Sequence, residues 1–387
     1  AIKWTAVRLG AGVTAGIQSS SATTVMVVGF VNSGIMKLGQ VVGIIMGANV
    51  GTTVTSWILS LSGIESSNFF VRLLKPASFS PVLAVIGVGF LMFSKKEKSR
   101  DIGDILVGFA VLMFGMDTMS GAVAPLADVP EFTGILTAFS NPLLGLAAGT
   151  VLTAVIQSSS ASVGILQALC ATGSVPYGAA VPIIMGQNIG TCVTAMLSGI
   201  GASRNARRAA LVHLYFNLIG TVIFMAVFYG FHTVVPFAFL GETANAAGIA
   251  AVHTVFNLFA TVILLPFSGA LEKLACLTIK EEGKGAVRPD TGAGRIPILD
   301  PRFLSTPGFA LEQCMTAASD MADYAREALF TAMGLVFRYE EEEAQKVVRL
   351  EETVDHYEDE LGTYLVKLGC GNLSERDSHT LSFLLHN

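Results

Sequence analysis

The pattern of hydrophobic and polar positions divides this chain in two at about Leu271. Before that point, long windows carry no Asp, Glu, Lys or Arg: Leu9–Met36, Leu38–Ile64, Pro76–Ser94, Phe132–Ser203, Ala209–Gly241 and Thr243–Leu271. A helix needs about 20 apolar residues to cross the hydrocarbon of a bilayer, so several of these windows predict spanning segments. Beyond Leu271, acids and bases return in helical rows. There Val347, Leu350, Val354, Tyr357, Leu361, Tyr364 and Leu368 follow a 3,4 spacing, which predicts a helix with one packed face. Gly369 reads as its C-cap and Ser374 as the N-cap of a further helix. The prediction is an all-α polytopic membrane protein followed by a soluble helical bundle.

The apolar half contains a repeat. Thr14-Ala-Gly-Ile-Gln-Ser-Ser-Ser-Ala22 recurs as Thr153-Ala-Val-Ile-Gln-Ser-Ser-Ser-Ala161, and Ile44-Ile-Met-Gly-Ala-Asn-Val-Gly-Thr-Thr-Val-Thr55 recurs as Ile183-Ile-Met-Gly-Gln-Asn-Ile-Gly-Thr-Cys-Val-Thr194. Both pairs stand at one offset (157 − 18 = 139 and 188 − 49 = 139). Two motifs that recur with their mutual spacing intact indicate a duplicated structural unit, a construction common in secondary transporters. In each unit the apolar stretches on either side of Gln-Ser-Ser-Ser are too short to span, which predicts a re-entrant hairpin. A spanning helix interrupted at Gly-x-Asn-x-Gly-Thr is expected next, then a closing helix. The second unit also has a leading helix, Ile105–Ala124. Its counterpart is expected to precede Ala1.

Three crossings per unit make the second copy upside-down relative to the first. Lys95, Lys96, Lys98 and Arg100 form one basic loop and Arg204, Arg207 and Arg208 another, and basic loops favour the cytoplasm. The first hairpin then opens to the cytoplasm beside Lys3, Arg8 and Lys37, the second opens outside, and the tail ends in the cytoplasm of a cell with an inner (plasma) membrane. Arg72 and Lys75 fall outside, against the rule. The expected boundaries are residues 1–100 for the first repeat, 101–272 for the second with an extra spanning helix, 273–307 for a linker and 308–387 for a helical tail that needs further chain to complete its bundle.

Composition agrees: 52% of the residues are hydrophobic and 14% charged, against about 25% charged in a soluble domain. A net charge of −5 argues against nucleic acid as a partner. The five cysteines show neither metal nor disulfide spacing.

The motifs suit an anion and a small cation. Gln-Ser-Ser-Ser at a hairpin tip puts hydroxyls and free amides at the start of a half-helix, where anions bind through N–H groups and the helix dipole. Two such tips, Gln18, Ser19, Ser20 and Ser21 with Gln157, Ser158, Ser159 and Ser160, would cradle a tetrahedral oxyanion between them. Asn49 and Asn188, with carbonyls freed by the interruptions and the hydroxyls of Thr52, Thr53, Thr191 and Thr194, supply an oxygen shell suited to sodium. No Lys or Arg lies near either motif, so a divalent anion needs cations to offset its charge. A serine hydrolase would need a general base in reach, and neither motif holds a His, Lys or Asp. An enzyme is not expected.

At these residues the sequence resembles the type II sodium–phosphate cotransporter family. Gln18-Ser-Ser-Ser21 and Gln157-Ser-Ser-Ser160 look like its signature, and Val27-Val-Gly-Phe-Val-Asn32 and Gly47-Ala-Asn-Val-Gly-Thr-Thr53 are similar too. The resemblance implies symport of inorganic phosphate with sodium, with phosphate and sodium ligands at the two tips and no cofactor. The tail resembles a PhoU-like domain, entered through Pro297-Ile-Leu-Asp-Pro-Arg-Phe-Leu304 after a glycine-rich stretch from Glu282 to Gly294. Glu351-x-x-x-Asp355 resembles that domain's acidic metal motif and equally suits a solvated helix face. His213-x-x-Phe216-Asn217 and His253-x-x-Phe256-Asn257 read as packing motifs or as proton-relay positions, and Asp117 as an interfacial or functional acid. Another anion, sulfate or a dicarboxylate, and a non-transporting phosphate sensor are the competing readings.

Overall fold

The computed structural model describes residues 2–63, 76–131, 134, 138–280, 299–371 and 373–386. Arg72, Lys75 and the glycine-rich stretch from Glu282 to Gly294 lie outside them. The described residues are almost wholly helical, and their only β feature is an isolated bridge between Pro176 and Thr243.

The first half of the membrane domain holds α1 (Ile2–Ile17), α2 (Ser20–Asn32), α3 (Leu38–Ser60) and α4 (Pro76–Phe93). Next come α5 (Glu97–Val123), α6 (Pro142–Ile156), α7 (Ser159–Cys170), α8 (Tyr177–Ser198), α9 (Arg204–Val234) and α10 (Ala246–Leu264). Among the described residues, five segments are long and apolar enough to cross a membrane: Leu38–Gly63, Glu97–Leu126, Tyr177–Ser198, Arg204–Val234 and Ala246–Leu264. The helices flanking each Gln-Ser-Ser-Ser turn are shorter, at 16 and 13 residues in the first copy and 15 and 12 in the second.

The expected interruption at Gly-x-Asn-x-Gly-Thr is absent. α3 and α8 run unbroken through Asn49 and Asn188. The glycines serve contact instead. A Cβ on Gly47 would fall on the Val7 carbonyl oxygen, and one on Gly186 on the equivalent Leu146 oxygen. Gly10 and Gly149 meet the Ile44 and Ile183 carbonyls in the same way. Small residues let helix backbones approach closely where lipid leaves van der Waals packing to hold them together. The motif therefore seats α1 on α3 and α6 on α8 without breaking either helix.

After the membrane domain, α11 (Ser268–Thr278) packs its buried Leu271 and Ala275 into the main core, and Arg208 caps its end by donating to the Ile279 carbonyl at 3.0 and 2.7 Å. Of the stretch expected as a linker, 273–307, residues 281–298 lie outside the described residues, and both ends are structured. Helix continues to Thr278, and Leu299 and Phe303 are buried. The tail holds α12 (Pro307–Phe337), α13 (Glu341–Gly369) and α14 (Glu375–His386). Leu350, Tyr357, Leu361, Tyr364 and Leu368 are buried along one face of α13, as the spacing predicts. The Asp377 amide donates to the Ser374 hydroxyl at 3.2 Å, the expected cap. Gly369 is the last helical residue with Cys370 as the cap, and it has no positive φ, so no left-handed cap forms there.

Candidate functional site

Each Gln-Ser-Ser-Ser builds the same turn. Gln18 and Gln157 take left-handed backbone angles, φ 60° and 57°. They are the only non-glycine residues to do so among those described. That reversal ends one helix and lets the next begin at once. Ser19 and Ser158 are extended N-caps whose hydroxyls accept from the Ala22 and Ala161 amides at 3.1 and 3.2 Å. The amides of Ser20 and Ser21, and of Ser159 and Ser160, are left without an intrahelical acceptor. Across each helix pair runs a buried hydroxyl bridge, Thr14 to Thr23 at 3.0 Å and Thr153 to Ser162 at 2.7 Å.

The two turns meet. Ser20 Oγ lies 3.3 Å from Ser159 Oγ, and both residues are buried. These are equivalent positions of the two copies, each the first residue of its helix. From that contact α2 and α7 run to ends tied to different elements. The α2 end meets the start of α9, where the Asn32 side-chain oxygen Oδ1 accepts from the Ser203 amide at 2.7 Å. The α7 end meets the segment before α10, where the Ala244 amide donates to the Val175 carbonyl at 2.8 Å.

Asn49, Thr52, Thr53, Asn188 and Thr191 are all buried. Asn49 and Asn188 each donate from Nδ2 to their own helix, at the Ile45 and Ile184 carbonyls, both 2.9 Å. Each side-chain amide keeps its oxygen as an acceptor. Thr52 and Thr191 bond the Ala48 and Gln187 carbonyls, both at 2.9 Å, and Thr53 bonds that of Val50 at 2.7 Å. Freed helix carbonyls therefore do not contribute, because the helices do not open. The glutamines differ: Gln18 Oε1 accepts from Thr55 at 2.9 Å and its Nε2 donates to the Ala15 carbonyl, while Gln157 is exposed. Thr194, the counterpart of Thr55, has a buried hydroxyl with no partner.

These groups offer hydroxyls, amides and neutral oxygens, and they include no fixed positive charge. The chain belongs to the Na+/Pi-cotransporter family. Its family model matches residues 1–121 and 126–259, which covers both turns. The chain is 26% identical over 372 residues to the putative inorganic phosphate export protein YjbB of Escherichia coli, covering 95% of this chain and 64% of that one. It is 28% identical over 210 residues to the uncharacterized protein YqeW of Bacillus subtilis, covering 54% of this chain and 63% of that one. The human sodium-dependent phosphate transport protein 2B is 34% identical over 132 residues, 32% of this chain and 19% of that one. The chain thus spans under two thirds of the length of these relatives. No solved structure matches it.

Outside the turns, Glu351 and Asp355 are exposed on α13, and the described residues hold no group of three His, Cys, Asp or Glu able to bind a metal. Asp117 is exposed on α5. His253 bonds the Ser56 hydroxyl at 2.7 Å, and Gln167 donates to the Ser56 and Ala246 carbonyls, both at 3.0 Å. This cluster ties α3, α7 and α10 together. Residue-type reasoning passed over Ser56 and Gln167 because neither is repeated: their counterparts are Ala195 and Val28. The hydroxyl bridges were findable, since Thr14 and Thr153 stand within the repeated motif.

Proposed function

We propose that this protein carries inorganic phosphate together with sodium across the inner (plasma) membrane of its cell, by alternating access around the Ser20–Ser159 contact. The carrying observation is that contact, 3.3 Å between equivalent hydroxyls at the starts of two short helices. Two helix N-termini aimed at one point present free amides and two positive dipole ends to a single anion. Phosphate is held by Gln18, Ser19, Ser20 and Ser21 from one side and by Gln157, Ser158, Ser159 and Ser160 from the other. Sodium takes side-chain oxygens of Gln18, Ser21, Asn49, Thr52 and Thr53 in one half and of Gln157, Ser160, Asn188, Thr191 and Thr194 in the other. Because neither motif contains Lys or Arg, the charge of the anion is balanced by the bound cations, and this makes transport of one depend on the other.

The two units are inverted repeats and each helix pair is a re-entrant hairpin. The attachment of α2 and α7 to different neighbouring elements supports this, as does their length, too short to span. Lys37 follows the end of α2 in sequence, and Arg204 and Arg207 lie in the first turn of α9, whose N-cap Ser203 bonds Asn32; we assign that side to the cytoplasm, with the PhoU-like tail on the same side. Proteoliposomes test the reading. An inward sodium gradient should drive uptake of labelled phosphate, and sulfate and succinate should not compete. Equal uptake with choline in place of sodium sinks it. The name of the E. coli relative favours net export. A coupled carrier accommodates this, because vesicles loaded with phosphate should release it faster when the sodium gradient points outward.

A further inference from the structure

We propose that Asn32 is a positioning residue that clamps the base of the first hairpin to both the second membrane half and the tail, so that releasing one side chain frees the Ser20 tip to move. Asn32 ends α2, the helix whose first residue is Ser20. Its two polar atoms hold two different parts of the protein. Nδ2 donates to Asp300 Oδ2 at 2.9 Å, and Oδ1 accepts from the Ser203 amide at 2.7 Å. Ser203 is the N-cap of α9. Asp300 is buried, and its carbonyl accepts from the Tyr364 hydroxyl of the tail at 2.9 Å. Burial raises the Tyr364 phenol well above its ordinary range, so it stays a donor. One amide therefore joins the first hairpin, the second half and the tail.

An aromatic seat surrounds this clamp. Phe30 of α2 lies 5.4 Å from Phe303 and 5.0 Å from Phe309 between ring centres, and those two are 4.8 Å apart. A Cβ on Gly29 would collide with the Phe303 ring, so the junction lies directly on the α2 backbone. The tail core includes Met26 and Phe30 among its packed neighbours.

The base of the second hairpin is held differently. The position equivalent to Asn32 is Ala171 (32 + 139 = 171), which has no polar side chain. Backbone bonds join that base to the segment before α10, from Ala244 to Val175 at 2.8 Å and from Tyr177 to Glu242 at 3.0 Å. Parting them requires the chains themselves to separate, whereas rotation of one side chain breaks both Asn32 bonds. The first hairpin is thus the releasable one, and the tail touches its release.

The link to transport rests on the function proposed above, but the clamp itself is tested without substrate. Hydrogen exchange is measured on the full chain in lipid nanodiscs, comparing α2 peptides with α7 peptides. Asn32→Ala and Asp300→Ala should each speed exchange in α2 by about tenfold and leave α7 unchanged. Combining Asn32→Asp with Asp300→Asn reverses donor and acceptor while keeping an oxygen at position 32 to accept from the Ser203 amide, and should restore protection. Unchanged α2 exchange in the single variants, an equal rise in α7, or no recovery in the reversed pair would each overturn the clamp. In sodium-driven phosphate uptake, the single variants should alter turnover while apparent affinity at saturating sodium stays within about twofold. This follows from a bond made far from the ligand. A lost affinity would make Asn32 part of the binding site, and absence of uptake in the unaltered protein would sink the transport reading while leaving the exchange result intact.

Discussion

At Gln18 the side chain is tied at both ends, by the Ala15 carbonyl and the Thr55 hydroxyl, and is half-buried. At Gln157, on the same left-handed backbone, the side chain is exposed and the Thr194 hydroxyl lies buried without a partner. The two turns therefore share a backbone and differ in readiness. Duplication preserved what the backbone requires: the φ reversal, the serine caps, the hydroxyl bridge and the glycine contact. The occupancy of the glutamine diverged. On the transport reading, the first turn holds its ligand oxygen in place before binding, and the second must bring Gln157 and Thr194 together on a cation.

The largest effect tests what the halves share. Gly47→Val and Gly186→Val each drive a side chain into a backbone carbonyl that cannot yield, which should cost about 3 kcal/mol, the upper end for overpacking. Both variants should lose monodisperse protein in size-exclusion runs after extraction. Tolerance of either one would mean that its half is not built on the close helix approach.

Next in size is the contact itself. Ser20→Ala and Ser159→Ala each remove a hydroxyl that would bond a charged ligand, worth about 1.5–3 kcal/mol. Apparent phosphate affinity at saturating sodium should fall by about ten- to a hundredfold in each. The double variant should lose less than the sum, since the two residues touch. Wild-type affinity in correctly inserted single variants would reduce the tips to packing features.

The smallest effect divides the halves most sharply. Thr55→Val removes the anchor of Gln18, a neutral hydrogen bond worth about 1 kcal/mol, so sodium half-saturation should rise about fivefold. Thr194→Val removes a hydroxyl with no protein partner. If that hydroxyl waits for sodium, its loss should raise half-saturation by a similar factor while leaving the melting temperature of the sodium-free protein unchanged. No change in sodium dependence at Thr194 would confine the cation to the first half.

The all-helical class, the membrane character and the sequence duplication were legible in the chain because they rest on local quantities. Charge-free length decides what lipid accepts, a 3,4 spacing decides which face of α13 is buried, and an offset of 139 shared by two motifs reports the duplication. Candidate residues could be named for the same reason, since polar side chains in apolar windows stand out. Whether Gly-x-Asn-x-Gly-Thr breaks its helix was not legible. Glycine weakens a helix and equally admits a neighbouring backbone, and only the presence of the Val7 and Leu146 carbonyls selects the second outcome. Nor could any local pattern bring Ser20 to Ser159, His253 to Ser56 or Asn32 to Asp300. Those contacts join residues 139, 197 and 268 positions apart. They depend on how whole helices pack, a balance of many small contacts that no short stretch of sequence contains.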